Sequence, residues 1–144
     1  MSFGAATGGA INTAGTLAIT TDGGVGAAGE IQITSSEALS LGVLNTDDAT
    51  AQDVSISVTG DNATLLVTAA SALDSDVVTF TADEMNIGST VTTTGIVTLQ
   101  TNEAGEQIDL GSAGSTVNDI LELSDTELGN IRTTTLRVGR ANAG

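Results

Sequence analysis

Apolar residues fall in very short alternating runs along the chain. Thr16-Leu17-Ala18-Ile19, Glu30-Ile31-Gln32-Ile33 and Leu39-Ser40-Leu41 come first. Val54-Ser55-Ile56-Ser57-Val58, Val77-Val78-Thr79-Phe80 and Ile96-Val97-Thr98-Leu99 follow, and Ile108-Asp109-Leu110, Leu121-Glu122-Leu123 and Leu136-Arg137-Val138 close the series. An apolar residue at every second position marks a strand with one face buried. The spacers are rich in Gly, Asn, Asp, Ser and Thr, which accept turn conformations. No segment sustains a 3.6-residue period, so the pattern predicts strands throughout and helix only as a turn or two.

The runs also repeat. Ile31-x-Ile33-Thr34-x-x-Glu37, Val78-x-Phe80-Thr81-x-x-Glu84 and Leu121-x-Leu123-Ser124-x-x-Glu127 share the form aliphatic-x-apolar-Thr/Ser-x-x-Glu. The offsets are 47 and 43 residues. A period of about 45, divided into two coils of about 22, lies in the range of solenoid units. A β-sandwich competes, but its core usually takes longer strands and aromatic bulk. Here the strands span three to five residues, and Phe3 and Phe80 are the only aromatics. We therefore expect an all-β chain folded as a single parallel β-helix over residues 1–144. About six coils would make a rod roughly 30 Å long at ~4.8 Å per coil. The columns inside would be stacked Val, Ile and Leu, and Gly and Asn would occupy corners that need φ > 0.

Composition narrows the function. The 144 residues include 24 Thr, 19 Ala and 18 Gly, with no Lys, His, Cys, Pro, Trp or Tyr. High charge and few aromatics favour disorder, but 40% of the residues are apolar, they are grouped, and proline is absent. Without His or Cys there is no imidazole base, no thiolate and no metal site built on those ligands. Without Lys there is no Schiff base. The net charge of −15, with only Arg132, Arg137 and Arg140 basic, argues against nucleic acid, whose phosphates need Lys and Arg. No apolar run approaches the ~20 residues that span a bilayer. The expectation is a protein that is not an enzyme, uses no cofactor and inserts in no membrane.

Several residues invite chemistry and have a plainer reading beside it. Glu37, Glu84 and Glu127 recur at one repeat position and suggest stacked Ca²⁺ ligands. Thr34, Thr81 and Ser124, three residues earlier, favour instead a capping box at a short helical turn. Asp22-Gly23-Gly24 and Asp47-Asp48 read as solvated turns. Thr92-Thr93-Thr94 and Thr133-Thr134-Thr135 suggest a flat ice-binding array, against which stands ordinary outward-facing Thr. Asp83/Glu84 and Asp74/Asp76 suggest a glycoside-cleaving pair, yet the aromatic sugar platforms such sites use are missing. The residues that define the repeat, Ile31, Ile33, Glu37, Val78, Phe80, Glu84, Leu121, Leu123 and Glu127, are thus expected to be structural.

The stretch from Leu121-Glu-Leu-Ser-Asp-Thr-Glu-Leu128 to Ile131-Arg-Thr-Thr-Thr-Leu136-Arg-Val-Gly139 resembles the β-helical repeats in stalks of large secreted bacterial adhesins of the filamentous-haemagglutinin type. Thr81-Ala-Asp-Glu-Met-Asn-Ile-Gly88 and Ile96-Val-Thr-Leu-Gln100 resemble the preceding part of the same unit, so the likeness is clearest over residues 76–144. The resemblance implies a right-handed parallel β-helix at the outer surface of a diderm bacterium. It implies export by two-partner secretion or an autotransporter, and a spacer or attachment role without catalysis. A host-surface or glycan ligand is the partner it suggests. The chain then reads as a segment of a longer array, or as a subunit that stacks end to end on its own kind and builds filaments.

Overall fold

The computed structural model of the chain describes residues 17–22, 31–47, 53–73, 75–112 and 120–140. Fourteen strands and one six-residue helix lie within them. The strands are β1 (Leu17–Asp22), β2 (Ile31–Ser35), β3 (Leu39–Asp47), β4 (Val54–Val58), β5 (Thr64–Val67), β6 (Ser71–Leu73) and β7 (Val77–Thr81). They continue with β8 (Glu84–Ile87), β9 (Val91–Thr93), β10 (Ile96–Gln100), β11 (Gln107–Leu110), β12 (Ile120–Leu123), β13 (Ile131–Arg132) and β14 (Thr135–Val138). The helix α1 spans Asp125–Asn130. The protein is all-β, and every strand pairing among the described residues is parallel.

One sheet has the order β14-β10-β7-β4-β2. The chain leaves it after each strand, visits a second sheet and returns. Ile31 pairs with Val54, Val54 with Val78, Val78 with Val97 and Val97 with Leu136. Successive returns thus take 23, 24, 19 and 39 residues. In the second sheet the long β3 serves two columns. Its first half pairs with β5, which pairs with β8. Its second half pairs with β6, which pairs with β9 and then β13. A third, two-stranded sheet joins β11 to β12. Five strands at ~4.8 Å spacing give the first sheet a width of about 19 Å.

The period-2 pattern explains the core. Val54, Ile56 and Val58 are buried while Ser55 and Ser57 are half-buried between them. In-register parallel pairing then puts like upon like: Ile33, Ile56, Phe80, Leu99 and Val138 form one row, Leu41, Val67 and Ile87 another. Each aliphatic side chain fully removed from water contributes about 1.5–3 kcal/mol.

The corners hold by a different device. Thr hydroxyls donate to carbonyls of the neighbouring return: Thr68 to Leu41 at 2.8 Å, Thr93 to Ser75 at 2.7 Å and Thr133 to Gly95 at 2.7 Å. Thr93 and Thr133, read above as part of two outward arrays, are therefore stitches between layers. Crowding, rather than φ > 0, explains two corner glycines. A Cβ on Gly95 would lie 2.1 Å from the Asp76 carbonyl oxygen, and one on Gly60 would lie 2.1 Å from that of Ser36. The φ > 0 expectation holds at Asn62, φ 56°, and at Gly105, Gly111 and Gly139.

The repeat read from sequence is reproduced in one interval and not in the other. Ile31 and Val78 share a row with Val54 between them, two returns apart. Leu121 does not join that row. It pairs with Ile108 in the third sheet, and Leu136 takes the place above Val97. The cause is the 39-residue return, which holds an excursion through β11, β12 and α1. Leu121 and Leu123 are nevertheless fully buried and join the same core.

Candidate interaction surface

The segment after β12 decides which strand edges are closed. Ser124 lies at the N-cap of α1 in extended backbone geometry, and its hydroxyl accepts the Glu127 amide hydrogen. Glu127 reaches back, and its Oε2 accepts the Ser124 amide at 2.9 Å. That is the reciprocal capping box, which satisfies two donors a short helix leaves open. The other oxygen, Glu127 Oε1, accepts the Ile87 amide at 3.2 Å. Asn130 Nδ2 donates to the Ile87 carbonyl at 2.7 Å. In a parallel ladder one residue's N–H and C=O both face the same neighbouring strand. Ile87 pairs with Val67 on its β5 side through the flanking residues, and its own groups face α1. Two side chains therefore occupy the hydrogen-bonding positions that a further strand would use.

The other Glu positions of the repeat do different work. Glu37 is exposed, and its amide donates to Ser35 Oγ at 3.2 Å. Glu84 lies in β8, and its Oε2 accepts the Thr64 hydroxyl at 2.8 Å. Thr81 caps nothing and accepts from Gln100 Nε2. Capping thus describes Glu127 alone. No group of three or more acidic residues suited to a metal ion exists among the described residues. Asp83 and Glu84 do not act together, because the Asp83 carboxylate takes the Asn62 amide at 3.0 Å while Glu84 engages Thr64. Gly23, Gly24, Asp48 and Asp74 lie outside the described residues.

The last strands of the sheets present the opposite of the α1 edge. β14 ends its sheet, β13 ends its column, and β11 ends the third sheet. No further strand pairs with their outer sides among the described residues. Their side chains show the same interruption. Leu136 continues the row of Val78 and Val97, both 0% exposed, yet is itself 37% exposed. Leu110 lies over Leu123 in register, and is 54% exposed while Leu123 is 0% exposed. Ile108 and Val138 are half-buried beside them. These are core positions with no further strand above them among the described residues. The only other exposed large aliphatic among the described residues is Val43.

Charge singles out the same face. All three cations of a chain with eighteen acidic residues are Arg132 in β13, Arg137 in β14 and Arg140 just beyond. Arg132 and Arg137 are exposed. Parallel edges with no further strand among the described residues, uncovered aliphatic side chains and the three arginines thus lie together on the last strands. The sequence suggests an end that stacks on further copies, but it does not single out Leu136 and Leu110, which look like any other alternating aliphatic. Only the order of strands reveals that they are last.

No family model, no curated protein and no solved structure matches this chain. Among the described residues no helix is long and apolar enough to cross a membrane.

Proposed function

We propose that the chain is a structural, non-catalytic segment of a right-handed parallel β-helix, of the sort that forms the stalks of large secreted bacterial adhesins. The observation that carries this reading is Leu136 over Val97 and Val78, an interior row that arrives at its last strand exposed. The row has the register of a structure built to continue. Parallel returns of 19 to 27 residues over most of the chain support it. So do the Thr stitches, which repeat at the corners and need no bound group. The composition, empty of His, Cys and Lys, suits a spacer better than a catalyst. The cell-surface location and the glycan or host-surface ligand rest on the resemblance of residues 76–144.

Extension tests it. Leu136 and Val54 share a row, and Arg140 follows the first by four residues as Val58 follows the second. A second copy of residues 59–100 joined after Arg140 should continue the rows and add two strands to the first sheet. The maximum dimension from small-angle scattering should grow by about 10 Å, with a single unfolding transition. An appended segment that stays unfolded, or that folds without lengthening the particle, would refute the β-helix reading.

A second reading shares the same open face. The chain would be a filament subunit, stacking end to end on further copies. The clustered arginines favour it, since another copy carries the acidic excess they need. Electron microscopy of purified chain separates the two. Discrete rods a few nanometres long exclude the filament, and micrometre fibres exclude the isolated segment.

A further inference from the structure

Ala82 and Asp83 turn the chain from β7 into β8, and Asp83 is 3% exposed. The Asn62 amide, in a corner of the previous return, donates to Asp83 Oδ2 at 3.0 Å. Asp83 Oδ1 is buried as well and finds no donor. An unpaired acceptor at such depth carries the full desolvation penalty of the group, more when charged. A side chain within hydrogen-bonding reach of Asp83 is another carboxyl, Glu106. Glu106 ends the turn 101–106 that carries the chain from β10 to β11, and its Oε2 accepts the Glu103 amide at 3.2 Å. With both carboxyls ionised there is repulsion and no hydrogen between them. One proton on Glu106 supplies Asp83 with the missing donor.

We propose that the protonated Glu106 carboxyl donates a hydrogen bond to Asp83, and that this bond clasps the excursion bearing β11 to the β7–β8 corner and opens as pH rises. Burial is the first reason that Glu106 holds its proton above the usual carboxylate range, and the charge and hydrogen bond of Asp83 act in the same direction. The Glu103 amide and the Thr101 hydroxyl, which favour the ionised form, oppose them. The other charges nearby do not replace the proton. Asp61 and Glu103 are exposed, and Glu84 is engaged by Thr64. The Arg140 guanidinium donates to the Asn102 carbonyl at 2.6 Å in the same turn. Ca²⁺ takes six to eight oxygens, and two carboxyls with one hydroxyl fall well short.

The sign follows from linkage. The folded state binds the Glu106 proton more tightly than the unfolded chain does. Its stabilisation is therefore complete below the ordinary carboxylate range and is lost as pH rises through the raised folded value. The clasp closes in acid and opens towards neutrality. Because β11 carries Leu110 of the open face, the clasp governs how firmly that face is held. This holds whether or not the face stacks on a partner.

Hydrogen exchange in the full chain tests the clasp, read as protection factors over residues 101–110 at pH 7 and pH 4. Wild-type protection should rise about tenfold in acid, the size of one hydrogen bond to a charged group. Glu106→Gln places an amide donor opposite Asp83 and should show the acid level of protection already at pH 7. Asp83→Asn, with its donor on the other side, should do the same. Glu103→Gln removes an equal charge from the exposed neighbour and should follow wild type, which separates the clasp from general relief of a −15 surface. Equal protection in Glu106→Gln and Glu103→Gln would overturn the proposal. So would a full gain in wild type at pH 7 on adding calcium chloride, which would make the shared ligand a cation.

Discussion

Two strand edges of this protein meet the same difficulty in opposite ways. The edge of β8 is closed: Glu127 and Asn130, on a helix of one and a half turns, take the N–H and C=O of Ile87. The edges of β14 and β11 are open, and the aliphatic rows behind them end in Leu136 and Leu110, both exposed. The closed edge cost the chain a 39-residue return where 19 served the turn before. A parallel edge is a template for more strand. A chain that covers one such edge with dedicated side chains and leaves another bare has two different uses for them. One ends a column within the fold, and the other ends without a covering strand among the described residues.

The largest test sets a covered position against its uncovered neighbour. Leu123→Ala should cost about 3–4 kcal/mol, as a buried cavity does. Leu110→Ala, directly over it, should cost less than ~1 kcal/mol. Urea unfolding followed by circular dichroism measures both, and equal losses would mean that the face is covered in solution. Next comes Glu127→Ala, which removes the capping box and leaves the Ile87 amide without a partner. About 2–3 kcal/mol should be lost, with exchange of the Ile87 amide hydrogen accelerated ahead of the rest of β5 and β8. Asn130→Ala frees only the Ile87 carbonyl and should cost about 1 kcal/mol. The smallest effect on stability belongs to Leu136→Lys, within ~0.5 kcal/mol. That variant sharpens the contrast by function, since any end-to-end association seen by sedimentation of the wild type should vanish in it.

The strands were legible because their signal is local. Ile31 and Ile33, Val78 and Phe80, Leu121 and Leu123 all sit in strands, and all turn their aliphatic side towards the core or its margin. The helix was legible at Ser124-x-x-Glu127 and misleading at Thr81-x-x-Glu84, where the same letters form β8. The difference is the neighbour. Glu84 to Ile87 pair with Thr64 to Val67 along a full ladder, and that ladder outweighs a single cap. The Asp83–Glu106 contact was illegible. Asp83 and Glu106 are 23 residues apart in unrelated turns, and nothing in either turn names the other.

The sequence by itself determined the material of the fold: short alternating strands, polar corners, β-branched and aliphatic side chains without aromatic bulk, and no residues for imidazole, thiol or amine chemistry. It determined these because period-2 alternation and residue chemistry belong to each segment alone. The tertiary structure decided partnership. It placed Leu136 rather than Leu121 above Val97, turned Thr133 into a stitch on Gly95, and left Leu110 bare over a fully buried Leu123. A parallel strand can pair in register with any other of like alternation. The choice among them rests on how much chain each return consumes and how its corners fit the layer before, and both are properties of the assembled molecule.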